Sequence, residues 1–165
     1  MTTQKSVAET TLIIRRSFLT SPKELFKMWT DGKTLKQWFS PTSKMTTPVA
    51  QVDLRVGGHY HLEMLSRDGR VHAISGVYKK IKVNKLLMFS WRWGKDARDI
   101  GETLVTLEFL PQNDVTELVL THDQFPDSKS RDQHAKGHHG VLNRLEALIS
   151  TADKKHSKNS PKPEA

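Results

Sequence analysis

The feature that most constrains this chain is a change of hydrophobic period. From about Ala50 to His122 apolar residues recur at every second position, whereas on either side of that stretch they recur at steps of three and four. A long run of period two, cut by Gly57-Gly58, Asp68-Gly69, Asn84, Gly94 and Asn113-Asp114, predicts six antiparallel strands in succession. Tyr60, Leu62 and Met64 share one parity, as do Leu87, Phe89, Trp91 and Trp93, then Val105, Leu107 and Phe109, and finally Leu118, Leu120 and His122. One face of the sheet is therefore strongly apolar. The opposite parity carries His59, His61, Glu63, Ser90, Arg92, Thr106, Glu108, Val119 and Thr121, which predicts a solvent-facing side.

Before this stretch, Thr11 to Leu19 is β-branched and aromatic and reads as a first strand. Ser21-Pro-Lys-Glu24 then spells a helix start, with Ser21 as cap and Pro22 at the first helical position. Leu25, Phe26, Met28 and Trp29 give that short helix a buried face. Asp31 is placed to cap a second short helix carrying Leu35, Trp38 and Phe39, which Ser40-Pro41 ends. After the strands comes a long helix, about Lys129 to Ser150, with the apolar stripe Val141, Leu142, Leu145, Leu148 and Ile149. Carried backward by three and four, the stripe reaches His138 and His134. Ser130 to Gln133 fits a capping box, and Ser128 is the alternative cap. Gly137 and Gly140 each weaken the helix by roughly 1 kcal/mol against Ala, which predicts a close packing approach there.

A length of 165 residues with 36% hydrophobic and 27% charged positions suits one domain with a real core. The expected division is a flexible segment 1–8, a folded domain 9–151 and a disordered, Lys-rich tail 152–165. No run approaches the roughly 18 apolar residues of a membrane span. The start MTTQKSVAETT has no apolar stretch behind a charged one, so a soluble cytoplasmic protein is expected. With no cysteine, disulfides, thiolate metal sites and Cys nucleophiles are excluded. The net charge of +8 invites a nucleic-acid reading. Lys154, Lys155, Lys158 and Lys162 against Asp153 and Glu164 supply +2 of it and Lys5 another +1, leaving +5 for the folded part. Arg15-Arg16 and Lys79-Lys80 with Lys82 and Lys85 lack the aromatic residues that stack bases, so no specific nucleic-acid partner is expected. Gly57-Gly58 lacks the spacing, the Lys and the following helix of a phosphate loop.

Strand, two short helices, six antiparallel strands and a long last helix is the element order of the helix-grip fold, in which a curved sheet wraps the final helix. The segments Phe26 to Asp31, Leu35 to Phe39, Asp53 to Gly58 with Tyr60 and Met64, Gly76 to Tyr78 and Leu86 to Trp93 resemble the START-like superfamily known as SRPBCC. Thr121 to Pro126 and His134 to Gly137 do so as well. Within it the resemblance is to the branch named after homologues of the activator of the heat-shock-protein-90 ATPase, and it covers about residues 10 to 150. It implies an α+β fold with a curved antiparallel sheet of about seven strands and a hydrophobic cavity between sheet and C-terminal helix. The superfamily uses such cavities for lipids, sterols, polyketides or hormones and occasionally for catalysis. Two departures stand out: where relatives usually follow the His-x-x-Gly helix start with Trp, this chain has His138, and Gly32 stands where Pro is usual.

The candidate site follows. Tyr60, Met64, Phe89, Trp91 and Trp93 are expected to line the cavity with apolar surface, and His122, His134 and His138 to point into it from a strand and from the helix stripe. Four-residue spacing on a helix also suits two metal ligands. Because no carboxylate or orienting partner can be assigned, and the resemblance places His122 and His134 at positions carried without metal, hydrogen-bonded imidazoles are expected and no metal or cofactor. His59 and His61 read as solvated side chains. No Ser elbow, paired-carboxylate site or nucleotide fingerprint assigns catalytic residues. The expected function is binding of a small hydrophobic molecule, aromatic, polyketide- or lipid-like, by a monomer or homodimer. The alternatives are a chaperone ATPase co-regulator acting by protein contacts, and a cyclase or hydrolase using His122 or His138 as acid/base.

Overall fold

In a computed structural model, residues 6–94 and 100–159 are described, with side chains through 151. The elements are a single turn α1 (Val7–Thr10), β1 (Leu12–Phe18), α2 (Pro22–Thr30), α3 (Gly32–Trp38) and β2 (Thr46–Val52). Then follow β3 (His59–Leu65), β4 (Val71–Lys82), β5 (Leu86–Trp93), β6 (Thr103–Gln112), β7 (Val115–Asp123) and α4 (Ser128–Asn159). Every pairing is antiparallel and the sheet order is β1-β7-β6-β5-β4-β3-β2. The first two strands thus form opposite edges, and α2 and α3 carry the chain from one to the other. The sheet curls into a half-barrel around α4, the α+β helix-grip arrangement expected from the residues.

Local chemistry sets the boundaries. The Ser21 hydroxyl accepts from the Glu24 amide at 3.2 Å, capping α2, with Pro22 at its first position. Asp31 lies at the start of α3, where its carboxylate accepts from the Thr34 hydroxyl at 2.6 Å. At the start of α4 neither Ser128 nor Ser130 is the cap: Asp127 Oδ1 accepts the Ser130 amide proton at 2.7 Å. The helix also continues past Ser150 to Asn159. Lys and Ala sustain helix without an apolar stripe, so periodicity alone sets its end too early. Of the expected tail, residues 160–165 lie outside the described residues, as do 1–5 of the N-terminal segment.

The apolar parity lies on the concave face of the sheet, with two buried exceptions on the other side among the described residues. Ser90 is buried because its hydroxyl accepts from the Val77 amide at 2.9 Å and its carbonyl accepts from the Tyr60 hydroxyl at 2.6 Å. Gly76 makes this possible, since a Cβ there would sit 1.9 Å from the Ser90 carbonyl oxygen. Val119 is buried between its cross-strand neighbours Arg15 and Glu108, whose aliphatic stems can cover it. Helix α4 is tied at both flanks. Arg16 of β1 donates to Asn143 at 2.7 Å, and Arg144 donates to the Ser40 hydroxyl beyond α3.

Candidate functional site

Two parts of the concave face differ sharply. On one side, Trp29, Leu35 and Phe39 from the α2–α3 region press onto Tyr60, Tyr78, Leu87 and Phe89, leaving a void of only about 20 Å³. Tyr60 and Phe89 meet edge to face with centroids 5.3 Å apart, and Trp29, Trp38 and Phe39 form an aromatic cluster with centroids 4.8 to 6.1 Å apart. On the other side lies a cavity of about 320 Å³ between the sheet and the first turns of α4. Met64, His72, Ile74, Trp91 and Trp93 line it from β3, β4 and β5. Gln133, His134, Gly137, His138 and Val141 line it from α4, and Phe39 and Pro41 complete the lining.

The two helix glycines have opposite reasons. A Cβ on Gly140 would lie 2.0 Å from the Pro41 carbonyl oxygen, so this residue is the close packing approach expected of it. A Cβ on Gly137 would meet nothing within 4 Å. Its missing side chain is space in the cavity, not a packing contact.

The eight expected site residues therefore separate. Met64, Trp91, Trp93, His134 and His138 stand on the cavity wall. Tyr60 and Phe89 do not; they belong to the filled core. His122 is fully buried behind Trp91 and His138, whose rings lie 5.2 Å from its own, and is not part of the wall. His72 joins the wall beyond the expected residues; the signal for it is the strand parity it shares with the buried Ile74 and Tyr78 and its pairing with Met64.

The three histidines are held by two separate series of hydrogen bonds. Trp93 Nε1 donates to His134 Nε2 at 2.9 Å, and His134 Nδ1 lies 2.7 Å from the Ser130 carbonyl oxygen. Because an indole N–H only donates, His134 carries its proton on Nδ1 and gives it to Ser130. Separately, Thr103 Oγ1 lies 3.2 Å from the Trp91 carbonyl oxygen and 2.7 Å from His122 Nε2, while His122 Nδ1 lies 2.9 Å from His138 Nε2. Burial pushes the His122 imidazole well below its ordinary pKa, with the neighbouring His138 and His134 adding to the effect. Burial likewise brings His138 down to about 3, helped by His134 and His139. Both rings are neutral at pH 7. Among the described residues no three metal-ligating side chains are grouped to hold an ion. Both ring nitrogens of His122 and His134, and Nε2 of His138, lie within hydrogen-bond distance of protein partners.

Residues 19–150 match the family described as Activator of Hsp90 ATPase homolog 1-like protein (AHSA1). The chain belongs to that family. Solved structures agree in fold. The AHSA1 protein from Silicibacter pomeroyi is 25% identical, with a TM-score of 0.76 over 86% of this chain and 99% of that one. A Chromobacterium violaceum protein is 23% identical, with a TM-score of 0.76 over 85% and 96%. An AHSA1-like protein from Aeromonas hydrophila is 20% identical, with a TM-score of 0.71 over 86% and 94%. No functionally curated protein is significantly similar in sequence. Among the described residues of this AHSA1-like chain, no helix is long and apolar enough to cross a membrane.

Proposed function

We propose that this AHSA1-like protein binds a small, largely apolar molecule in the cavity between the sheet and α4. The observation that carries the reading is the cavity itself, about 320 Å³ of space walled by Met64, Ile74, Trp91, Trp93 and Val141 with a few polar groups at its helix side. Ligand sites combine these features: apolar burial for affinity and a few fixed polar atoms for orientation. The volume is near the lower end of the roughly 300–1,000 Å³ typical of such sites, so a one- or two-ring aromatic is favoured over a sterol or long acyl chain. The protein is taken to act in the cytoplasm as a monomer or homodimer.

The test uses Trp fluorescence, since Trp91 and Trp93 are on the wall. A panel of one- and two-ring aromatics should give saturable quenching at micromolar ligand in the native chain. Gly137→Leu should abolish it while keeping or raising the melting temperature, because the new side chain enters open space and Leu is the better helix former. No saturable response, or a response unchanged in Gly137→Leu, would overturn the reading. The second reading, chaperone ATPase co-regulation by protein contacts, is supported by the family match. It predicts stimulation of an Hsp90-type ATPase that Gly137→Leu leaves intact.

A further inference from the structure

The hydrogen bonds behind the cavity have a direction, and it reaches the cavity wall. With the single Thr103 hydroxyl proton on the 3.2 Å contact to the Trp91 carbonyl, which can only accept, all three contacts of this series are made; with that proton on His122 the carbonyl contact is lost. The Thr103 oxygen is then the acceptor at 2.7 Å, and the proton between it and His122 belongs to His122 Nε2. A neutral imidazole protonated on Nε2 has a bare Nδ1, so the 2.9 Å bond to His138 is donated by His138 Nε2. His138 in turn has a bare Nδ1, which makes no hydrogen bond among the described residues, and His138 lines the cavity. His134 offers nothing equivalent, because Trp93 and Ser130 engage both its nitrogens. Among the described residues no Lys or Arg lines the cavity.

Resting on the reading that the cavity holds a small molecule, we infer that it selects a neutral ligand bearing a hydrogen-bond donor, a phenol-type hydroxyl or an aromatic N–H, which donates to His138 Nδ1. Carboxylates are disfavoured because no Lys or Arg among the described lining residues and no free donor on His138 awaits them. Ethers and ketones of the same shape gain the apolar burial but leave the His138 lone pair unmet. The polarity is fixed from the far end of the relay, so Thr103 is a positioning residue that acts on the ligand through two imidazoles. The depressed pKa of His138 agrees with a ring that stays neutral beside the ligand.

The decisive experiment titrates the full chain with 2-naphthol, 2-methoxynaphthalene, 2-acetylnaphthalene and 2-naphthoate, which share a ring system and differ only in the polar group. 2-Naphthol should bind roughly tenfold more tightly than the other three, about the value of one buried hydrogen bond. Equal affinity for 2-naphthol and its methyl ether, or a preference for the ketone or carboxylate, overturns this inference and leaves the cavity reading standing. Absence of saturable binding by all four overturns both. Nitrogen-15 NMR of the unliganded native chain adds a check that needs no variant. His122 and His138 should be protonated on Nε2 and His134 on Nδ1, and protonation of His138 on Nδ1 overturns the inference whatever the affinities.

Discussion

The filled and open parts of the concave face are built from the same strands, with the same parity and overlapping residue types, and they end with about 20 and about 320 Å³ of space respectively. Tyr60 and Met64 are four residues apart on β3, yet one is in closed core and the other on a cavity wall. What differs is the cover. Trp29, Leu35 and Phe39 insert bulk on one side, whereas α4 presents Gly137 and imidazoles on the other. Strand pattern makes an apolar face, and helices distant in sequence decide whether it becomes core or pocket.

The contrast can be broken most forcefully by truncation. Phe89→Ala, in the filled part, should cost about 3–5 kcal/mol in denaturant unfolding, because close-packed neighbours cannot collapse around the hole. Met64→Ala, beside space that already exists, should cost clearly less. Equal costs would mean that the two parts are packed alike.

The next largest effect is on pH. His122 and His138 have folded pKa values below the ordinary histidine value of about 6.5, so below that pH the unfolded chain binds protons that the folded chain refuses. Stability is therefore full above about pH 6.5 and falls as pH drops toward the folded values, His138 alone, with a folded value of about 3, accounting for on the order of 2 kcal/mol at pH 5. Urea midpoints measured between pH 7.5 and 5 should show this slope. His138→Phe should reduce it to the share that His122 contributes, and a flat native profile would contradict the buried neutral pair.

The helix glycines give the smaller and sharper pair. Gly140→Ala should lower stability by about 1–3 kcal/mol, since its methyl must displace the Pro41 carbonyl. Gly137→Ala, one turn earlier and unobstructed, should raise stability by roughly 1 kcal/mol through helix propensity alone. Thermal melts of the two variants should move in opposite directions.

How much of this was legible in the sequence follows from the same contrast. The period change at Ala50, the Ser21 cap and the stripe from His134 to Ile149 suffice for the helix-grip order and for the sheet face that meets α4. Parity also places His122, His134 and His138 inward. It does not say that Tyr60 and Phe89 are covered by Trp29 and Leu35, because that contact joins residues 25 to 60 positions apart. Nor does it reveal that His122 sits one layer behind His138, since depth along a side-chain direction has no periodic signature. Asp127 is an ordinary N-cap residue, but the serines after it fit a capping pattern equally well, so the sequence alone does not single it out as the α4 cap.

The most direct test of the central claim is an NMR titration of this 18.8 kDa chain with 2-naphthol, following backbone amides and Trp indole signals together. The account predicts saturable shifts at Gly137, His138, Trp91 and Trp93, with Tyr78 and Leu87 of the filled part unmoved. Shifts centred on the filled part, or no saturable shift on α4, would contradict it.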